Sequence, residues 1–246
     1  MVMTAQELMD DVCPKIKDNG WAFYFVPETV AKGEELGLDS VTFYVLGRGG
    51  VLGDVDWQLV QSAFGYFKPS LIRDTWLAGT AKVAPRDAAA AYMECCREHG
   101  RRKLAGLDGL DAFNDAAAAV NEAAPIEGLA LYAGIKSFAL AGDAPARAMQ
   151  LVTTLRELRG SVHLLAILAS GLNPLEAHYS SRPEALRMFG WDTDEAPSLT
   201  DRHRSRMGAA EELTDSLVLP AYSVLDERGT RAMVDGMAAI EAALRS

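Results

Sequence analysis

The segment from residue 145 to residue 170 constrains the fold of this chain more than any other. Its apolar residues recur at the three- and four-residue spacing of a helix. One face of that helix carries Leu151, Leu155, Leu158, Val162 and Leu165, and a second face carries Arg156, Arg159 and His163. After Gly160 the segment is apolar on almost every side, which implies burial. The sequence therefore predicts a buried helix with two guanidiniums and an imidazole on one side.

Most of the remaining chain also has the pattern of helices. Thr4 followed by Glu7 is typical of a capping box and predicts a helix start. The stretch "WAFYFVP" is short and ends at Pro27, so we interpret it as a packed connector. Further helices are predicted over residues 69–78, 85–99, 109–123, 127–141, 173–180, 183–189 and 228–245. The predicted fold is all-α, a multi-helix bundle of two helical lobes (residues 1–145 and 146–246) or one continuous unit.

The composition argues against nucleic acid as a partner. The chain has 34 acidic and 24 basic residues and a formal charge of −10, whereas nucleic-acid binding draws most of its affinity from neutralised phosphates. The three cysteines have no metal-binding spacing, and we expect reduced thiols. The sequence has no apolar run long enough to span a bilayer and no signal-peptide pattern, so we expect a cytoplasmic protein without a membrane partner. It identifies no cofactor.

A glycine-rich stretch, "GRGGVLG", runs from residue 47 to residue 53. It lacks the Gly-Lys-Ser/Thr ending of a phosphate-binding loop, and no strand precedes it. The simpler interpretation is a helix-breaking turn where backbones approach closely. In the alternative interpretation, Arg48 binds a carboxylate or phosphate of a ligand, because a guanidinium is a bidentate donor.

The imidazole in the buried helix admits two interpretations. In the first, His163 is a core histidine with a hydrogen-bond partner, and its neighbouring arginines pair with Glu157 or Glu176. In the second, it lines a pocket with Arg159 and acts as a base, an acid or a hydrogen-bond donor. His178 lies on another helix, and no His-x-x-x-His pattern supports a metal site. We therefore expect no metal. The histidines at 99 and 203 lie among charges, and we expect both to be solvated.

Four stretches, taken in order, resemble a known family. They are "FYFVPETVAKGEELGL", "GRGGVLGDVDWQLVQSAFGYFKPSLIRDTW", "TLRELRGSVHLLAILASGLNPLEAH" and "EELTDSLVLPAYSVLDERG". Together they are similar to the SCO6745-like actinobacterial family, helical proteins assigned a helix-turn-helix or winged-helix-type domain. The resemblance covers about residues 20 to 230. In the first motifs the matching residues are Arg48, Gly53, Phe64, Phe67 and Pro69, and Glu176 and His178 fall near a later one.

The third motif departs from the family pattern. Members tend to have Arg-Glu-His-Arg-Gly-Asp-Gly-His where this chain has "RELRGSVH", so Leu158, Ser161 and Val162 differ. The matching residues are Arg156, Glu157, Arg159, Gly160 and His163. If the family uses the extra histidine and aspartate chemically, their loss weakens any catalytic role that the resemblance implies.

A second departure follows Gly190-Trp191, where the family resemblance implies a recognition helix and a wing. Here residues 192–200 are acidic, contain Pro197 and are too short to fill a major groove. The stretch "DRHRSR" is the basic patch of this region, and we interpret it as a solvated helix face. We therefore expect a degenerate winged-helix-like C-terminal part.

These observations lead to a predicted small-molecule site. We expect a helical protein, as a homodimer, that binds a small organic molecule in an interior pocket; a biosynthetic enzyme is one form of this function. The alternatives are a ligand-responsive winged-helix transcriptional regulator and a structural partner in a complex. His163 and Tyr66 are the predicted catalytic residues. The predicted ligand-binding residues are Arg48, Arg159, His178, Phe64 and Phe67.

Overall fold

The structure, a computed structural model, describes residues 3–246. These residues form twelve α-helices and three short 3₁₀ turns and contain no β-strand, so the all-α prediction is confirmed. The helices are α1 (Ala5–Asn19), α2 (Pro27–Glu35), α3 (Ser40–Gly49), α4 (Trp57–Phe64), α5 (Pro69–Thr80), α6 (Pro85–Lys103), α7 (Leu110–Ala123), α8 (Ala130–Lys136), α9 (Ala144–Ala169), α10 (Pro174–Ser181), α11 (Asp201–Tyr222) and α12 (Glu227–Arg245). In the part of the chain described, no helix is both long and apolar enough to cross a membrane.

Local signals in the sequence set the starts of several helices. The predicted capping box of α1 is present, because the Thr4 amide donates to Glu7 Oε2 (2.7 Å) and the Glu7 amide donates to Thr4 Oγ1 (3.2 Å). At the start of α9, the side chain of Asp143 accepts from the amide of Ala146 at 3.1 Å. These caps satisfy amides that have no partner inside the helix.

Helix α9 lies at the centre of the bundle. It contacts α1, α6, α7, α8, α10 and α11, and 15 of its 26 residues are buried. Its bounds agree closely with the predicted segment 145–170. The predicted burial holds for most of the helix but was wrong for Leu165 and Leu168, which are 43 % and 53 % exposed. Because neighbours cover it on most sides, α9 needs the nearly continuous apolar surface that the sequence shows.

The buried core is continuous across residue 145, where the sequence predicted a division into lobes. One cluster of buried apolar side chains extends from Leu8 in α1 to Ile240 in α12, and α9 contributes Leu151, Leu155 and Leu158. A smaller cluster of Ile167, Leu172 and neighbours lies where α9, α10 and α11 meet. The two-lobe boundary itself stays a prediction.

The segment before α2 is a packed connector, as predicted. Phe23 and Tyr24 are buried there, and the Thr29 hydroxyl donates to the Phe23 carbonyl at 2.6 Å.

The prediction that His99 is solvated was wrong, because α6 continues through Lys103 and turns this ring inward, leaving it 5 % exposed.

The glycine-rich stretch provides the close approach that the sequence predicted, but the predicted break in the helix comes only at Gly50. Gly47 and Gly49 lie inside α3, and Gly50 ends that helix. A Cβ atom at Gly50 would lie 2.0 Å from the carbonyl oxygen of Pro85, and one at Gly47 would lie 2.6 Å from Tyr92 Cβ. Glycine therefore lets α3 contact α6 at a distance that a side chain would prevent.

We expect Gly50→Ala to destabilise the protein by about 3 kcal/mol, because the added methyl group meets backbone rather than a movable side chain. Gly208→Ala is the matched control. It lies in exposed helix, where an added Cβ would meet open space, and should stabilise the fold by about 0.5–1 kcal/mol. Urea unfolding measures both changes. Equal free energies of unfolding for the two variants would contradict the close approach of α3 and α6.

Candidate functional site

A cavity of about 450 Å³ lies between α9 and the helices around it. This volume is within the range of small-molecule sites. Side chains from α1, α3, α4, α9, α10 and α11 line it, together with the loop after α4. All the predicted site residues contribute to the lining: Arg48, Phe64, Tyr66, Phe67, Arg159, His163 and His178.

A buried carboxylate shared by two guanidiniums forms one end of the cavity. Glu157 is 1 % exposed. Its two oxygens accept from Arg48, at 3.0 Å from Nε and 2.7 Å from Nη2. Oε1 also accepts from Arg156 Nη1 and from the Tyr24 hydroxyl, each at 3.0 Å. This arrangement, the Arg48–Glu157–Arg156 cluster, links α9 to α3 and to the connector before α2.

The charge of this cluster determines how Glu157 ionises. Burial works to raise the pKa of Glu157, but the guanidiniums of Arg48 and Arg156 outweigh it and hold that pKa below its ordinary value. The remaining terminal nitrogen of Arg48, Nη1, donates to the Tyr44 hydroxyl at 2.7 Å. Every nitrogen of the Arg48 guanidinium thus has a protein partner, whereas the sequence predicted a ligand anion for this residue.

Arg159 lies one turn further along α9 and pairs with α11. Its Nη2 donates to Glu211 Oε2 at 2.8 Å, and its Nη1 lies 3.1 Å from Asp215 Oδ1, an ion pair without the alignment of a hydrogen bond. The sequence predicted Glu157 or Glu176 as the partner of the arginines. Arg156 does pair with Glu157, but Arg159 has two carboxylates from another helix.

The hydrogen bonds of His163 define its tautomer. Its Nδ1 lies 2.8 Å from the Thr214 hydroxyl, which already donates its single proton to the Ala210 carbonyl at 2.6 Å. The hydroxyl must therefore accept, so Nδ1 carries a proton. Nε2 lies 3.6 Å from Glu211 Oε1. Burial lowers the pKa of His163, and the charge of Glu211 opposes that change.

Another part of the cavity lining is aromatic and contains unpaired polar atoms. The His178 ring packs against Phe189 with 4.0 Å between centroids and 40° between planes, and Phe189 packs against Phe67 at 4.3 Å and 30°. The Tyr66 hydroxyl and His178 Nε2 are buried and have no hydrogen-bond partner among residues 3–246. Burial raises the pKa of Tyr66 and lowers the pKa of His178, so both side chains favour their neutral forms.

Sequence reasoning missed several residues of this cavity. Glu211 and Asp215 lie in α11, about 50 residues from Arg159, and no local pattern indicates that they meet it. Phe189 is the last residue of the 3₁₀ turn Pro183–Phe189, and the Trp191 indole just after it donates to the Tyr66 carbonyl at 2.9 Å. Within residues 3–246, no group of three His, Cys, Asp or Glu side chains is arranged to hold a metal ion.

The fold and the cavity define an all-helical protein with an interior pocket built around one central helix. Residues 16–246 match a helix-turn-helix family, and the chain therefore belongs to that family. A search of curated proteins found no significant match. A search of solved structures found none either.

The surface that corresponds to the expected DNA-binding part is not basic overall. Residues 182–206 contain five arginines and five carboxylates. Lys68 holds the acidic connector through Asp192 (3.2 Å) and Glu195 (2.6 Å). Helix α11, which begins with the arginines of "DRHRSR", packs against α1, α7, α9 and α10. The side of α11 that faces the bundle is therefore covered by these four helices.

We expect Glu157→Gln to destabilise the protein by about 3 kcal/mol, because it leaves two partly buried guanidiniums without a counter-charge. Glu211→Gln is the control. Glu211 is half-exposed, so the loss of its ion pair with Arg159 should cost no more than about 1 kcal/mol. Urea unfolding at neutral pH measures both. A Glu157 variant as stable as the Glu211 variant would contradict the structural role of the cluster.

Proposed function

We propose that the protein binds a small organic molecule in the cavity beside α9. The observation that carries this proposal is the pair of unpartnered polar atoms in the cavity wall, the Tyr66 hydroxyl and His178 Nε2, which find no partner in residues 3–246. A buried polar group without a partner costs about 1–3 kcal/mol, and a bound ligand or water removes that cost. The size of the cavity and its mixture of aromatic and polar walls support a ligand.

Several narrower expectations stay predictions within this proposal. They are the assignment to SCO6745-like proteins, the cytoplasmic location, the homodimer and the catalytic roles of His163 and Tyr66. The neutral forms of Tyr66 and His178 support hydrogen-bonding roles toward a ligand. The Nδ1–H of His163 is engaged by Thr214, which leaves its Nε2 as the ring atom that can exchange a proton.

A neutral fluorescent probe, N-phenyl-1-naphthylamine, tests whether the cavity accepts an apolar body. We expect saturable binding to the wild-type protein with enhanced fluorescence. Gly160→Trp should weaken binding by about tenfold or more, because Gly160 lines the cavity and a Cβ there meets open space.

Gly208→Trp is the matched control for this measurement. Gly208 is also a helical glycine at which an added Cβ would meet open space, but it does not line the cavity. The control variant should bind the probe as the wild type does. Absence of saturable binding to the wild type, or equal weakening in both variants, would overturn the proposed cavity function.

A DNA-binding regulator is the second candidate function, and membership of the helix-turn-helix family favours it. That membership counts against our expectation that nucleic acid is not a partner. A gel-shift assay with a pool of random duplexes, at low and at moderate salt, tests it. A regulator would retard selected duplexes and lose affinity steeply as salt rises. From the balanced charge of residues 182–206 we expect no retardation of the pool at either salt concentration.

A further inference from the structure

We propose that the ligand is an aromatic monocarboxylate, with its carboxylate bound by Arg156 and its ring against the aromatic wall. This inference rests on the proposed function of the cavity and names the class of molecule that it takes. Three features carry it: the uncompensated charge of the Arg48–Glu157–Arg156 cluster, the free donors of Arg156, and the aromatic residues of the cavity lining.

The cluster has one more positive charge than negative charge. Arg48 and Arg156 share Glu157, and no second carboxylate among residues 3–246 forms an ion pair with either guanidinium. Arg48 and Glu157 alone would be a neutral bidentate pair. Arg156 therefore supplies a cation at the cavity wall that a single ligand anion would neutralise.

Arg156 has the free donors that such an anion needs. Its Nη1 donates to Glu157 and to the Tyr24 hydroxyl, the latter at 3.2 Å. Its Nε is buried and has no partner in the part of the chain that the structure describes. A guanidinium with free donors on one edge matches the geometry of a carboxylate. Arg48, whose nitrogens all have partners, instead holds Glu157 in place.

The other arginine that α9 contributes to the cavity offers no free charge for a second anionic group. Arg159 is paired with two carboxylates, Glu211 and Asp215, so its charge is already balanced by the protein. A second anionic group on the ligand would meet repulsion there. The whole lining has five cationic and four anionic side chains, although the chain carries a formal charge of −10. The positive excess is thus local to the cavity.

The aromatic part of the cavity lining favours a flat ring. Phe67, Phe189 and His178 form a row of tilted rings with centroid separations of 4.3 and 4.0 Å, and the Tyr44 ring centroid lies 5.9 Å from that of Phe67. Aromatic rings prefer to pack against such faces and edges. An aliphatic acid in the same space would pack less well against these rings.

A matched pair of probes tests the charge requirement in the wild-type protein. Naphthalene-2-carboxylate and naphthalene-2-carboxamide have nearly the same shape and differ in charge. By isothermal titration calorimetry at neutral pH, the carboxylate should bind about tenfold or more tightly than the amide, because a hydrogen bond to a charged group is stronger than one between neutral groups.

Arg156→Met tests the residue, because it keeps the apolar stem and leaves the neutral Arg48–Glu157 pair intact. We expect it to lose about tenfold or more in affinity for the carboxylate and to bind the amide as before. Arg231→Met is the control, since Arg231 is exposed in α12 and distant from the cavity lining. It should leave both affinities unchanged. Thermal unfolding confirms that both variants are folded.

The outcomes separate this inference from the proposed function. Equal binding of the carboxylate and the amide to the wild-type protein would overturn the inference, even if Arg156→Met does not fold. Full affinity of Arg156→Met for the carboxylate would also overturn it. In either case, saturable binding of N-phenyl-1-naphthylamine would leave the cavity function standing. Loss of binding for all three probes would overturn both.

Discussion

The structure depends on one carboxylate, Glu157, that neutralises a guanidinium from another helix inside the bundle. The isolated charge of Arg48 would be expensive to bury, and the bidentate contact of Glu157 removes most of that cost. The same contact fixes α3 against α9, and the Tyr24 hydroxyl adds the connector before α2. With these elements fixed, Arg156 reaches the same carboxylate at the cavity wall, where it provides a charge that the protein does not balance.

Much of the fold is encoded in short stretches of sequence, and those parts were predictable. The capping box at Thr4, the bounds of α9 and the close approach at Gly50 each follow from residues within one helix or one turn. The cavity residues were predictable because a histidine and arginines on an apolar helix need partners or a ligand. The structure brings them together with Phe64 and Phe67, as the sequence suggested, while their functional roles stay proposals.

The parts that could not be predicted depend on which helices meet. The partners of Arg159 lie in α11, and only the packing of α11 against α9 places Glu211 and Asp215 beside it. The burial of His99 has the same origin, because the charges beside it in the sequence point to solvent while its own ring faces the bundle. Local patterns give the face of a helix but not the identity of the element that covers it.

Helix α9 also fixes the spacing between the two electrostatic environments of the cavity. Arg156 and His163 are seven residues apart on one helix, and a rise of 1.5 Å per residue separates them by roughly 10 Å along the axis. A rigid backbone holds this spacing constant when side chains adjust. The helix therefore sets the length of ligand that can reach both residues. An elongated ligand bound by Arg156 at one end would place its other end beside the His163 ring if it has roughly the length of two fused rings and a substituent.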